Sequence, residues 1–515
     1  MNRILYISLL WLGMSVLTYA QLPTLEYKIN LTKVEDRELQ IELQVPRLKE
    51  KELVFCLPKK LPNIIEYCDF GRFIKDFKAY DNKGEELLVV ERDDNSWRIV
   101  NSKKLVKITY RVEATWESGK EWDIPKTVGS EFQKDELFLL NHNAILGYFE
   151  SHEKLGVDLK IIRPANLYAA TSLRSVPKSK ASNIDIFKAV SYQELIKHPI
   201  LYAKLDTTTM KLAYADILLQ VYNPSGEVEA KDLLKKLKPL LLAQAAYMRN
   251  VYPVDHYTLL VYISDDVDVP QLTAHSHSSV FYIQEGYSEE VAQQMKEMMD
   301  SEMFHTIVPY LIHSEEVHDF NFSKPVPSKH SWLYEGWPAY VAEHTKVQQG
   351  LISLEQFLAV LDNKIEGAKA MDPNLSLTQL SKHAYEREYK EQYINFDLRG
   401  ALVCLCLDLK LRILSKGEYG FINLMYDLSG YYGSDMPFVD TDLFDKIVEI
   451  TGHKELKTFF EDCVESIEEL PLLELLKQVG IEQKENFQLI LNKNANKEQL
   501  KLLKSWLGEK VLITK

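Results

Sequence analysis

Asp300-Ser301-Glu302-Met303-Phe304-His305-Thr306 is the stretch that decides how this chain is read, together with Trp332-Leu333-Tyr334-Glu335-Gly336-Trp337 about thirty residues later. A zinc-binding helix of the form His-Glu-x-x-His puts two imidazoles at i and i+4, with the Glu beside the first as general base and a Glu from a second helix as third ligand. Here Ser301 stands where the first histidine belongs, and Glu302, His305 and Glu335 complete the pattern. At roughly 100° per residue, positions 301 and 305 lie about 40° apart on a helix, near enough to converge on one ion. Asp300 cannot stand in, being turned about 140° from His305. A serine hydroxyl is short, neutral and outside the usual ligand set of zinc. His305 and Glu335 are then two residual metal ligands where a catalytic site normally has three and a water.

Around this stretch the pattern is α/β. The helix carrying it is expected from about Glu289 to Val308, with Ser288 as N-cap, Glu289 and Glu290 at its positive end and Pro309 beyond it. Before it come strands at Lys211–Tyr222, His256–Ser264 and Ser279–Gln284, and a helix over 232–250 that Pro239 should bend. From Leu25 to about Arg174 short segments alternate with period two, as in Ile41-Glu42-Leu43-Gln44-Val45, between turn clusters such as Asn82-Lys83-Gly84. After position 345 the pattern is helical. Ser353-x-x-Gln356 opens one helix as a capping box, and Phe396–Ser415 is apolar almost all round, as a buried helix would be. The expected organisation is a signal peptide over 1–20, a β-rich domain over 21–176, a thermolysin-like α/β domain over 177–345, a helical domain over 346–482 and a polar tail over 483–515. The fold class is α+β multidomain, with a β-sandwich-like N-terminal domain.

The 515 residues carry 61 basic and 75 acidic side chains, a net charge of −14, which implies no nucleic-acid partner. Met1-Asn2-Arg3, the apolar run Ile4–Leu17 and Thr18-Tyr19-Ala20 have the form of a cleavable signal peptide, so export to a periplasmic or extracellular space is expected. No later apolar run is long enough to span a membrane. Of the five cysteines, Cys56 and Cys68 are the plausible pair, since Cys404 and Cys406, two apart on an expected helix, point to different sides. The simpler reading makes all five small buried apolar residues.

Taken in order, these segments resemble the glycyl aminopeptidase family of zinc metallopeptidases, of the gluzincin type, from about Tyr27 to Gly480. The likeness runs through Asp76-Phe77-Lys78-Ala79-Tyr80-Asp81, Trp332-Leu333-Tyr334-Glu335-Gly336, Arg399-Gly400-Ala401-Leu402-Val403 and Leu470-Pro471. It implies zinc as the family's cofactor and aminopeptidase activity, with Glu302 as general base. The departures fall where that chemistry would occur. Besides Ser301, Ala274 of Leu272-Thr273-Ala274-His275 stands where the family has a Glu that binds the substrate amine. Phe396-Asp397 stands where a Tyr-Tyr pair helps hold the oxyanion. The family's usual C-terminal PDZ domain has no room. His275 is the expected substrate-side residue and the first choice for a substitute ligand, ahead of His277, His313, His318 and His330. The expectation is an exported metallopeptidase-like protein with a degenerate zinc site, inactive and binding peptides or a partner protein. The alternative is an active zinc aminopeptidase with a substitute ligand.

Overall fold

The computed structural model describes residues 23–509, apart from residues 63, 65–66, 117–118, 120–123 and 177–182. The expected signal peptide therefore lies outside the described residues.

The period-two segments form a multi-sheet β domain. Thr24–Asn30 buries Leu25, Tyr27 and Ile29 on one face, as alternation dictates, and pairs in parallel with Gly156–Ile162 and antiparallel with Glu38–Gln44. The full six-stranded order is Ile184–Ala189, Gly156–Ile162, Thr24–Asn30, Glu38–Gln44, Leu105–Glu113, Ile74–Asp81. A four-stranded sheet containing Glu52–Cys56 and Ser96–Val100 packs on it through Phe55, Phe77, Trp97, Tyr110 and Phe149. Phe77 and Trp97 are stacked at 4.9 Å. The expected boundary at 176 is displaced. Ile184–Ala189 pairs with Gly156–Ile162, and Ile200–Ala203 lies between Leu137–Leu140 and Tyr168–Ala170, so the β domain continues to about residue 203. The polar sequence over 177–199 hid this, because register to a distant strand leaves no local signal.

The next sheet has the order Asp206–Leu212, Ala215–Tyr222, His256–Ser264, Ser278–Gln284, Gln271–Ala274, parallel at its centre and antiparallel at both edges. Its central strand buries Tyr257, Leu259, Leu260, Val261 and Ile263, the near-continuous apolar run of a strand covered on both faces. Ala230–Tyr247 connects two of the parallel strands and carries Pro239 within it. The site helix, Ser288–Glu302, follows the last strand; its N-cap is Tyr287 rather than Ser288, and Glu290 accepts the Tyr287 N–H at 2.9 Å.

Two further expectations are corrected. The α/β and helical parts are not separate at 345, since one apolar core runs from Leu212 through Trp337 and Leu405 to Trp506. The described part of the expected polar tail, residues 483–509, is not a tail either. Ile481–Gln483 pairs with Leu489–Leu491, and Lys497–Leu507 is a helix that buries Leu502, Leu503, Trp506 and Leu507. Its charged face masked the spacing of those apolar residues. The capping box at Ser353 and Gln356 forms as expected, and all five cysteines are buried. Among the described residues, no helix is long and apolar enough to cross a membrane.

Candidate functional site

Three of the residues singled out in the sequence come together between two helices. Glu302 ends the site helix, His305 follows on a 3-10 turn over Met303–Thr306, and Glu335 lies in the second turn of Ser331–Gln349. The site helix therefore stops short of the expected Val308. Its last carbonyls are drawn elsewhere: the buried Gln244 amide donates to Met299 O at 2.9 Å and to Asp300 O at 3.1 Å. The Thr306 hydroxyl donates back to Met303 O at 2.6 Å, a local bond that competes with α-helical pairing. In a 3-10 turn each residue advances roughly 120°, so 301 and 305 end roughly 100° apart instead of about 40°.

The His305 ring is fixed by Nδ1, 3.2 Å from Val308 O. A carbonyl only accepts, so Nδ1 carries the proton and Nε2 keeps its lone pair. Glu335 accepts the Tyr393 hydroxyl at 3.1 Å. Both glutamates are half-buried and hold their protons unusually well. The Glu302 carboxyl is pushed up to about 7 by burial, which outweighs the pull of His305 and is reinforced by Glu335 and Asp397. Glu335 is pushed up to about 7 by burial and by Asp397, against the Tyr393 hydrogen bond. Asp397, on the rim, is raised as well by its surroundings, against Lys364 and His305. Lys364 donates to Asp397 O at 2.9 Å. Among the described residues, no group of three His, Cys, Asp or Glu side chains is placed to hold a metal ion.

The backbone of the second helix is pinned beside Glu335. A Cβ on Gly336 would stand 2.6 Å from the Gly400 carbonyl carbon, so the two helices touch through glycine backbone. Gly336→Ala is expected to cost about 1–3 kcal/mol by overpacking and to move Glu335 with its helix. A melting temperature equal to the wild type's would show that this crossing yields freely.

His275 comes from a different element than the glutamates. Its backbone lies just past the edge strand Gln271–Ala274, and the Tyr257 hydroxyl, 2.7 Å from Ser279 Oγ, also reaches His275 O at 3.4 Å. Its ring is buried with Nε2 unpartnered, and its pKa is lowered to about 3 by burial and by His198 and His142 of the β domain. The other histidines considered as ligands are engaged elsewhere. His277 lies against His198 and His256, His313 Nε2 is 3.0 Å from His318 Nδ1, and His330 Nε2 is 2.8 Å from Asp440 O. Tyr393 was not foreseen. It lies three residues before Phe396, on the segment where a tyrosine was sought at 396–397, and the π-helical turn over Phe396–Gly400 offsets the register there.

A β domain, an α/β sheet with an antiparallel edge strand and a helical domain closing over two glutamates and a histidine define the aminopeptidase-type metallopeptidase fold. Residues 26–204 match the Peptidase M61 N-terminal domain, and residues 294–403 match the M61 glycyl aminopeptidase model. The chain belongs to the M61 glycyl aminopeptidase family. Among solved structures it is similar to an aminopeptidase N family protein from Idiomarina loihiensis, at 20% identity and a TM-score of 0.76, over 89% of this chain and 78% of that one. It is also similar to an M1 zinc metallopeptidase from Deinococcus radiodurans, at 12% identity and a TM-score of 0.52, over 88% and 95% of the two chains. These likenesses establish the fold. No curated protein matches the sequence.

Proposed function

We propose that this protein is an exported member of its family whose zinc site is degenerate, and that it binds peptides or a partner protein without hydrolysing them. The observation that carries this reading is Ser301. The residues present do not fit the family's zinc. A hydroxyl replaces one imidazole, the Glu335 carboxylate is engaged by Tyr393, and the turn at Met303 swings His305 away from the direction an i+4 ligand would take. Glu302 is then a cleft acid with no metal-bound water to deprotonate. The antiparallel edge strand Gln271–Ala274 supports the binding role, because its outer side can pair with an extended peptide. Export rests on the amino-terminal signal-peptide pattern.

The test is the metal content of residues 21–515 purified beside Ser301→His. The wild type is expected to hold no stoichiometric zinc, and the variant to take up one ion with a gain of helix as the turn over Met303–Thr306 rewinds. One zinc per wild-type chain overturns the reading. A second reading, an active zinc aminopeptidase with a substitute ligand, is favoured by the lone pair left on His305 Nε2 and by a Glu302 carboxyl near 7, suited to a general base. It requires hydrolysis that chelators abolish and that disappears in Glu302→Gln.

A further inference from the structure

A small cavity, partly open to solvent, lies where the β domain, the second helix and the segment before Phe396 meet. Its lining includes Phe320, Tyr334, Tyr385 and Tyr393, and among the described residues the one charged residue lining it is Glu335. Phe320 and Tyr385 are in edge contact at 6.4 Å, and the Tyr393 hydroxyl is held on the Glu335 carboxylate. A carboxylate lining an aromatic-walled cavity, once ionised, suits a weakly hydrated organic cation better than a hydrated inorganic one. Aromatic faces attract positive charge, and alkyl groups on nitrogen can shed their water.

The chain itself shows one of these rings taking a cation. The buried Lys60 ammonium lies 4.7 Å from the Tyr385 ring centroid and 5.2 Å from that of Tyr67, and Lys60 does not line the cavity. Its charge works against a second cation nearby, as does that of Lys364. Glu335, with Glu302 and Asp397 close enough to shift its titration or be shifted by it, works for one.

We propose that this cavity binds an alkylated ammonium group, with the Glu335 carboxylate facing its charge and the Tyr385 and Tyr393 rings against its alkyl surface. The inference rests on the metal-free reading above, since zinc at Glu335 would occupy the same carboxylate. The ammonium can come from a small molecule or from a methylated lysine of a peptide, and the test separates the two.

The experiment is calorimetric titration of full mature protein, with zinc content measured on the same sample. The probes are choline, its neutral isostere in which carbon replaces nitrogen, and a short peptide centred on trimethyllysine. Choline is expected to saturate one site, and the isostere to bind at least tenfold more weakly. A peptide binding at least tenfold tighter than choline assigns the site to protein-borne ammonium; equal or weaker binding assigns it to a small molecule. Glu335→Gln, nearly isosteric, is expected to lose at least tenfold in choline affinity, and Tyr385→Leu about fivefold, as loss of one cation–π contact implies. Equal binding of choline and its isostere, or undiminished choline affinity in a folded Glu335→Gln protein, overturns the proposal. Zinc in the sample would instead count against the metal-free reading, whereas a zinc-free protein that ignores both ammonium probes refutes this inference alone.

Discussion

Replacing Asp408 by alanine should cost about 3–5 kcal/mol of stability, the loss expected when one partner of a buried ion pair is removed and the other stays. Asp408 is fully buried and accepts Arg412 Nε at 2.9 Å, the Tyr340 hydroxyl at 2.6 Å and the Phe421 N–H at 2.7 Å. Burial pushes its pKa up, but Arg412, His344 and these hydrogen bonds outweigh burial and leave it below the ordinary carboxylate value. The network reaches the C-terminal helix: Trp506 Nε1 donates to the Tyr340 hydroxyl at 2.9 Å, His344 Nε2 bonds Trp506 O at 2.7 Å, and Arg412 also donates to Ser505 O. One carboxylate thus ties Ser331–Gln349, which carries Glu335, to Ala401–Leu414, Phe421–Tyr431 and Lys497–Leu507. Asp408→Ala leaves the guanidinium unpaired in the interior, and Asp408→Asn, which keeps a hydrogen-bond acceptor, should cost less. The check is denaturant unfolding of both variants with Arg412→Ala and the double mutant. A melting temperature for Asp408→Ala within about one degree of wild type would show that the pair holds nothing together.

Acid should unfold the protein well before most carboxylates are protonated. His142, His330 and His344 are fully buried, and burial holds them at about 4, 3 and 4, against an ordinary 6.5. A histidine whose folded value lies below its unfolded one leaves stability intact above about 6.5. Stability then falls as the pH drops toward the folded value, because the unfolded chain binds the proton first. Each such group costs about 3–5 kcal/mol once the pH is below both values, comparable with a sizeable part of a whole domain's stability.

His142, His275 and His277 add a local emphasis, since they meet His198 and His256 at the seam between the β domain and the sheet. Glu194 lies on His198 at 2.9 Å and Asp255 on His256 at 2.5 Å, with Lys197 and Arg174 as the nearby cations. Held at about 4, 3 and 4 by burial and by neighbouring histidines, His142, His275 and His277 take up protons first in the unfolded chain. Glu302 and Glu335, raised to about 7, have the opposite sign and favour the folded state at low pH, but they are two against the larger set. Melting temperature measured from pH 8 down to about 4.5 should fall steadily below about 6.5. His142→Gln should move the onset to lower pH, and a flat profile would refute the account.

The sequence made the site legible through a spacing. Glu302, His305 and Glu335 could be named because helix geometry relates residues a few positions apart, and the Trp-x-Tyr-Glu-Gly run marked the second helix. The central strands were legible for a similar reason: Tyr257–Ile263 within His256–Ser264 is an unbroken run of aromatic, apolar and β-branched residues, which a doubly covered strand needs. Tyr393 was not legible, since its hydroxyl reaches Glu335 across 58 positions and no local pattern encodes that. The turn at Met303 was hidden likewise, because the buried amide that draws off its carbonyls is Gln244, 55 residues before Met299.

By itself, then, the sequence determined the class of fold, the order of its parts and the serine in place of a metal-binding imidazole, all of which depend on residue type and short-range period. Only the tertiary structure decided that the β domain runs on to residue 203, that the last helix is core, and that Glu335 faces a tyrosine within an aromatic cavity. Those outcomes depend on which distant groups compete for the same hydrogen bonds and the same buried volume, and that competition exists only once the chain has closed on itself.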